Sequence, residues 1–129
     1  MDYEKRLLDY IDTLGVPFQI YTDTTTEESS ISVAMLPGST TVQEYYDGIK
    51  DKEYIHEIQV KAKVNERDKA TQALLEIGER LGDVDDIPSQ VGAYDFGHID
   101  VTNELFFSEA TTEGWIYFRL QIKSYLTVY

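Results

Sequence analysis

The sequence predicts an α+β protein, a mainly antiparallel β-sheet with two α-helices packed on it and an extended β-hairpin. Three observations predict it. Two stretches carry apolar residues at helical spacing, several others alternate with a period of two, and their order is helix, strands, helix, strands. That order lacks the regular strand-helix-strand alternation of parallel sheets. The 129 residues fit one domain around one core, 1–129, with no internal repeat or linker.

Asp2 is placed to cap a helix over Tyr3–Leu14, where Leu7, Ile11 and Leu14 recur at helical spacing beside Tyr3 and Tyr10, and Gly15 supplies a stop. Pro17 then favours extended backbone, and Phe18–Tyr21 reads as a first strand. Thr22–Ser30 is all Thr, Asp, Glu and Ser, too polar to bury surface, so a mobile loop is expected. Ile31, Val33 and Met35 alternate before Pro37-Gly38, and a second extended stretch, Thr40–Tyr46, ends in Asp47-Gly48, a favoured pair for a tight hairpin. Tyr54, His56, Ile58, Val60, Ala62 and Val64 then fall on one face of a strand, with Glu57, Gln59, Lys61 and Lys63 on the other.

Asn65 is a cap candidate for a second helix, Glu66–Leu81, whose buried side is Ala70, Leu74, Ile77 and Leu81, with Gly82 as terminator. Gly78 inside it costs about 1 kcal/mol relative to Ala, which close packing against a neighbour would justify. After an acidic loop, Asp83–Gln90, two segments with imperfect alternation follow, Gly92–Thr102 and Glu104–Ala110, and Thr111–Gly114 makes a turn. In the last strand Ile116, Phe118, Leu120, Ile122, Leu126 and Val128 share one face, interrupted by Ser124. Trp115, Tyr117, Arg119, Gln121, Lys123, Tyr125, Thr127 and Tyr129 share the other, an aromatic and basic face expected to meet a partner or another element.

Charge is the compositional outlier. Twenty-four acids face eleven bases, for a formal net charge of −13, which opposes binding to nucleic acid or to an anionic membrane. The acids are segregated: seven lie between Leu7 and Ile49 and eight between Asp83 and Phe118, and neither block contains a Lys or Arg. Such blocks serve either as solvated, solubilising surface or as a surface that repels or imitates nucleic acid. Without cysteine there is no disulfide framework, thiolate nucleophile or cysteine zinc site. The acidic start lacks the basic-then-apolar pattern of an export signal, and no apolar run approaches a membrane span of roughly 18 residues.

Tests for chemistry fail one after another. His56-Glu57 is followed by Val60 where a metalloprotease helix needs its second His. Asp95-Phe96-Gly97 matches the kinase metal triplet by letters alone. A calcium loop starting at Asp83 would have Pro88 at its turn glycine and Tyr94 at its bidentate Glu. His56, His98 and Asp100 are the only basis for a two-His, one-carboxylate site. No phosphate-cradling loop or nucleophile elbow occurs. No catalytic residue, cofactor or metal site is therefore expected, and the chain reads as a non-enzyme. Ten Tyr, five Phe and one Trp instead favour interaction surface, with Tyr45, Tyr46, Trp115, Tyr117 and Tyr125 as interface candidates.

The strand-to-helix unit from Glu53 to Ala70, EYIHEIQVKAKVNERDKA, and the closing strand from Gly114 to Tyr125, GWIYFRLQIKSY, with the short capped helix and hairpin before them, resemble the tail terminator proteins of long-tailed bacteriophages, often labelled minor capsid proteins. The resemblance spans nearly the whole chain and implies an α+β virion subunit, assembled in the host cytoplasm. Such a subunit forms a ring with copies of itself, typically a hexamer, at the head-proximal end of the tail. Its other partners would be the tail tube protein and the head-tail connector protein. It would stop tail polymerisation and form the head-tail joining surface, with DNA passing through unbound and no membrane involved. The hairpin Ile31–Asp47 fits the role of a ring-forming arm, since closed rings need heterologous contacts. Asp95, Asp100 and Glu104 are candidate acids lining the lumen, where carboxylates would repel phosphate. The competing function is an acidic DNA-mimic inhibitor of a nucleic-acid-binding enzyme.

Overall fold

A computed structural model of the chain describes residues 2–16, 18–22, 29–36, 40–111 and 113–129, with backbone alone at Gln19, Tyr21, Thr22, Thr40 and 103–109. Helix α1 (Tyr3–Asp12) is followed by strands β1 (Gln19–Thr22), β2 (Ser30–Met35), β3 (Thr40–Glu44) and β4 (Lys50–Lys63). A 3₁₀ turn (Val64–Glu66) leads into α2 (Arg67–Asp83), and β5 (Tyr94–Ala110) and β6 (Trp115–Val128) complete the chain. The strands form one sheet in the order β1-β2-β4-β6-β5, with β3 also on β4. Every pairing is antiparallel except the parallel one between β1 and β2. This is the α+β, mainly antiparallel architecture with two helices that the sequence predicts.

Strand alternation explains the layers. In β6, Ile116, Phe118, Leu120, Ile122, Ser124 and Leu126 are buried, while the intervening residues from Trp115 to Thr127 are half-buried. In β4, His56, Ile58, Val60 and Ala62 are buried on the same side. Both helices cover this side. Tyr3, Leu7 and Ile11 of α1 join Ala70, Leu74, Ile77 and Leu81 of α2, with the inward residues of the strands, in one core. The Leu120 methyls lie where a side chain at Gly78 would begin: a Cβ there would be 3.2 Å from Cδ2. The helix cost of this glycine thus allows α2 to sit close to β6.

The helix ends differ from expectation. The Asp2 side chain caps no amide of α1; it accepts from the Ser89 hydroxyl at 2.7 Å and the Gln90 amide at 2.8 Å, tying the helix start to the loop before β5. Arg6 adds a bond from Nε to the Pro88 carbonyl at 3.0 Å. Helix α1 stops at Asp12, with Gly15 in the left-handed region at φ 71°. Asn65 lies within the 3₁₀ turn and caps nothing, and α2 runs through Gly82 to Asp83. Val64, expected on the buried face of β4, is exposed in the 3₁₀ turn.

A reversal occurs at Asp47-Gly48, where the sequence places a hairpin pair. Strands β2 and β3 do not pair with each other; they lie end to end along the same edge of β4, Met35 opposite His56 and Thr40 opposite Glu53. The reversal is between β3 and β4. There Tyr45 N donates to Ile49 O at 2.8 Å, Gly48 N to Tyr45 O at 3.1 Å, and Gly48 adopts φ 86°. Asp47-Gly48 therefore ends a three-residue loop, Tyr46-Asp47-Gly48, instead of forming a two-residue turn. The expected turn at Pro37-Gly38 falls outside the described residues, as do positions 23–28 of the expected loop Thr22–Ser30, whose ends belong to β1 and β2.

The two expected extended segments 92–102 and 104–110 are one strand, β5, whose register on β6 shifts four times. The first shift, between Phe96 and His98, brings Gly97 against β6: a Cβ there would be 2.7 Å from the Tyr125 carbonyl oxygen. These bulges account for the broken alternation. The turn at Thr111–Gly114 is present, with Gly114 at φ 88° and the Thr111 hydroxyl accepting from Trp115 N at 3.2 Å.

Candidate interaction face

Because both helices pack on one side, the opposite side of the sheet has no described helix over it. Cross-strand register arranges its residues in rows from one end to the other. Asp51, Thr127 and Asp95 form the first row; Glu53, Tyr125 and His98 the second; Ile55, Lys123 and Asp100 the third. Glu57 with Gln121 and Gln59 with Arg119 occupy the middle, and Lys61 with Tyr117 and Lys63 with Trp115 finish the far end.

Most of these side chains are held by neighbours. The Thr127 hydroxyl donates to Asp51 at 2.8 Å, and the Tyr45 phenol reaches the other oxygen of Asp51 at 2.9 Å. The Tyr129 phenol donates to Asp95. Both phenols are raised above their ordinary pKa, because the carboxylate bond holds the proton. His98 stacks on Tyr125 with ring centroids 4.2 Å apart, and its Nε2 lies 3.7 Å from Asp100. Lys123 pairs with Glu53 at 3.6 Å and Arg119 with Glu57 at 2.9 Å. Trp115 carries Lys61 over its ring at 4.3 Å and Lys63 at 5.7 Å, both within cation–π range.

Trp115, Tyr117 and Tyr125 are thus on this face, half-buried, as the alternation of β6 indicates. Asp95 and Asp100 are exposed on the same face, so the acids assigned to a lumen and the aromatics assigned to an interface share one surface. Glu104 belongs to β5, but its side chain is outside the description. Tyr45 and Tyr46 sit at the β3–β4 reversal, 43% and 112% exposed, and Val42 on the adjacent strand is 60% exposed. His56 is fully buried among α1 and the sheet, its ring 6.1 Å from Tyr3, whereas His98 is exposed on the other face. No single ion could reach both, so the two-His arrangement does not form. Among the described residues there is no cluster of three His, Cys, Asp or Glu that could hold a metal.

Sequence reasoning missed the partners of these groups: Asp51 beneath Tyr45 and Thr127, His98 on Tyr125, and the lysine pair around Trp115. The outward alternation of β4 and β6 was visible, but which outward residue faces which depends on the register between strands far apart in sequence. The charge segregation also acquires a place. Six of the eleven bases are on β4 and β6, the two strands flanked on both edges, and the other five are on α1 and in α2; none is on β1, β2, β3 or β5.

No family model matches the chain, and no curated protein matches it. The solved structures that resemble it include a chain that superposes with a TM-score of 0.61 over 98% of this chain and 92% of its own length, at 13% identity. At that identity the likeness shows a shared fold and nothing of function. Among the described residues no helix is long and apolar enough to cross a membrane.

Proposed function

We propose that this chain is a structural assembly protein of the tail terminator kind: a subunit that rings the head-proximal end of a phage tail tube, stops its growth and offers the joining surface to the head. The observation that carries the proposal is the sheet face over which no described helix lies, with its half-buried aromatics and paired charges, continuous with the exposed aromatic tip at Tyr45 and Tyr46. Large aromatic side chains held in place beside satisfied charges are the composition of protein interfaces. The sequence resemblance supplies the particular assembly, and the α+β fold agrees with it.

DNA mimicry is the weaker alternative. A mimic needs an unbroken line of carboxylates, and on this face Lys123, Arg119, Lys61 and Lys63 interrupt or replace them. Light scattering over a range of protein and salt concentrations, with negative-stain imaging, tests the assignment. Rings of uniform size support it; a chain that stays single and inhibits a nuclease selects mimicry.

A further inference from the structure

Of the eight glycines in the sequence, Gly48 alone follows an aspartate or asparagine. Asp47-Gly48 lies in the loop between β3 and β4, with both residues exposed. The Asp47 side chain is folded back along the chain, because its Oδ1 accepts from Ile49 N at 3.3 Å. That bond spans the Gly48 peptide and so holds the carboxyl carbon beside the Gly48 nitrogen. Keeping an acyl carbon and a nitrogen within one short ring turns an encounter into an internal step. The nitrogen is also unobstructed: Gly48 has no side chain, and nothing comes within 4 Å of the place its Cβ would take. One contact opposes the step, the 3.1 Å bond that Gly48 N donates to Tyr45 O, and an exposed backbone bond of this kind opens readily to water. The setting is different for Asp51, Asp95 and Asp100 in strands and Asp68 in α2, where the following residues are Lys52, Phe96, Val101 and Lys69 and regular backbone fixes the next amide.

We propose that Asp47 is a site of spontaneous backbone isomerisation, and that this change remodels the β3–β4 loop. The Gly48 nitrogen bonds to Cγ of Asp47, and the carboxyl hydroxyl leaves with the amide proton as water, which closes a five-membered succinimide. Water then adds to one of the two ring carbonyls. Opening at the original backbone carbonyl leaves the chain running through Cβ and Cγ, with that carbonyl now a free carboxylate. Water is lost and regained, so the mass is unchanged and no other reactant is needed. The isoaspartate adds one backbone atom to a loop whose ends are clamped, by Tyr45 N on Ile49 O at 2.8 Å and by the Tyr45 phenol on Asp51 at 2.9 Å. The new carboxylate branches from a different place, so the bond from Ile49 N is lost and Tyr46, fully exposed in the loop, is re-aimed. Neither step depends on the ring assignment.

The test incubates the full chain at neutral pH beside the same chain kept in denaturant, then digests both with an endoprotease that cuts before aspartate but not before isoaspartate. In the folded chain cleavage before Asp47 should be lost progressively without a change of peptide mass, while cleavage before Asp51, Asp95 and Asp100 persists. Asp47→Asn closes the same ring with ammonia as leaving group and should gain a single mass unit there. Asp47→Glu, whose ring would have six members, should stay unaltered. In the aged native chain, hydrogen exchange at the Tyr45 and Ile49 amides should quicken by roughly tenfold, with β6 amides unchanged. Cleavage before Asp47 retained in the folded chain would overturn the proposal, and its loss in denaturant alone would show that the fold protects the site. Isoaspartate at 47 with exchange unchanged at Tyr45 and Ile49 would overturn the remodelling.

Discussion

The phenol of Tyr3 donates to the hydroxyl of Ser124 at 2.6 Å, a buried bond between residues 121 positions apart that ties the first turn of α1 to β6. Both groups are walled in: Tyr3 is 1% exposed and Ser124 fully buried, with Tyr94 packed edge-on to the Tyr3 ring at 5.2 Å. Removing the phenol oxygen by Tyr3→Phe strips a buried hydroxyl of this partner and should cost about 1–3 kcal/mol of unfolding free energy. Ser124→Ala should cost a similar amount, and the double variant clearly less than the two together, since the second change then removes nothing further. Denaturant titration of the four proteins measures the coupling.

The same burial sets an alkaline limit. Desolvation raises the Tyr3 phenol well above its ordinary value and pushes Tyr94 up to about 12. The folded chain therefore holds these protons where the unfolded chain releases them. Stability is whole below pH about 10, the ordinary tyrosine value, and falls as pH rises through the folded values. Thermal melts from pH 8 to pH 12 should show the decline, and Tyr3→Phe should flatten its slope.

At the other end of the scale, the bond from Ser89, aided by the Gln90 amide, holds the Asp2 carboxyl below its ordinary value. Its contribution is present above about pH 4 and is lost as pH falls through the lowered value. Asp2→Ala should release the loop that leads into β5 without unfolding the core. Hydrogen exchange at the Gln90 amide should quicken by roughly tenfold, while amides of β4 keep their protection.

Gly97 and Gly82 make a contrasting pair. An alanine at 97 would push its Cβ to 2.7 Å from a backbone oxygen that has no room to retreat, so Gly97→Ala should destabilise by about 1–3 kcal/mol. At Gly82, in the last turn of α2, nothing lies within 4 Å of the added carbon, so Gly82→Ala should be neutral or stabilising by up to about 1 kcal/mol. Chemical denaturation midpoints decide both.

If the acids of β5 face passing DNA, their neutralisation matters to delivery and not to folding. Asp95→Asn, Asp100→Asn and Glu104→Gln together should leave the melting temperature within a few degrees and slow genome delivery by assembled particles. Unchanged delivery would remove these residues from a lumen role.

Much of the fold was legible in the sequence wherever a single element decides its own pattern. The period of two in β4 and β6 marks one buried face because the described helices cover that side, and Leu7, Ile11, Leu74, Ile77 and Leu81 mark the helices for the same reason. What was hidden depends on distant partners. Asp2 has the chemistry of a helix cap, yet Ser89, 87 residues away, takes its carboxylate. That β2 and β3 both pair with β4 could not be read from either strand's own pattern, because it depends on the length and register of β4. The irregular spacing of β5 could not be placed before its bulges on β6 were known. Of the candidate face, the aromatics of β6 were visible and their lysine, histidine and aspartate neighbours were not, since register alone brings those together.

The confinement of every base to the inner strands and the two helices has a consequence for solubility. The strands at the margins of the sheet among the described residues, β5 on one side and β1 and β3 on the other, bear carboxylates or no charge at all. Two copies that approach margin to margin, the geometry by which sheets stack endlessly into fibrils, meet like charge against like or gain no charge attraction.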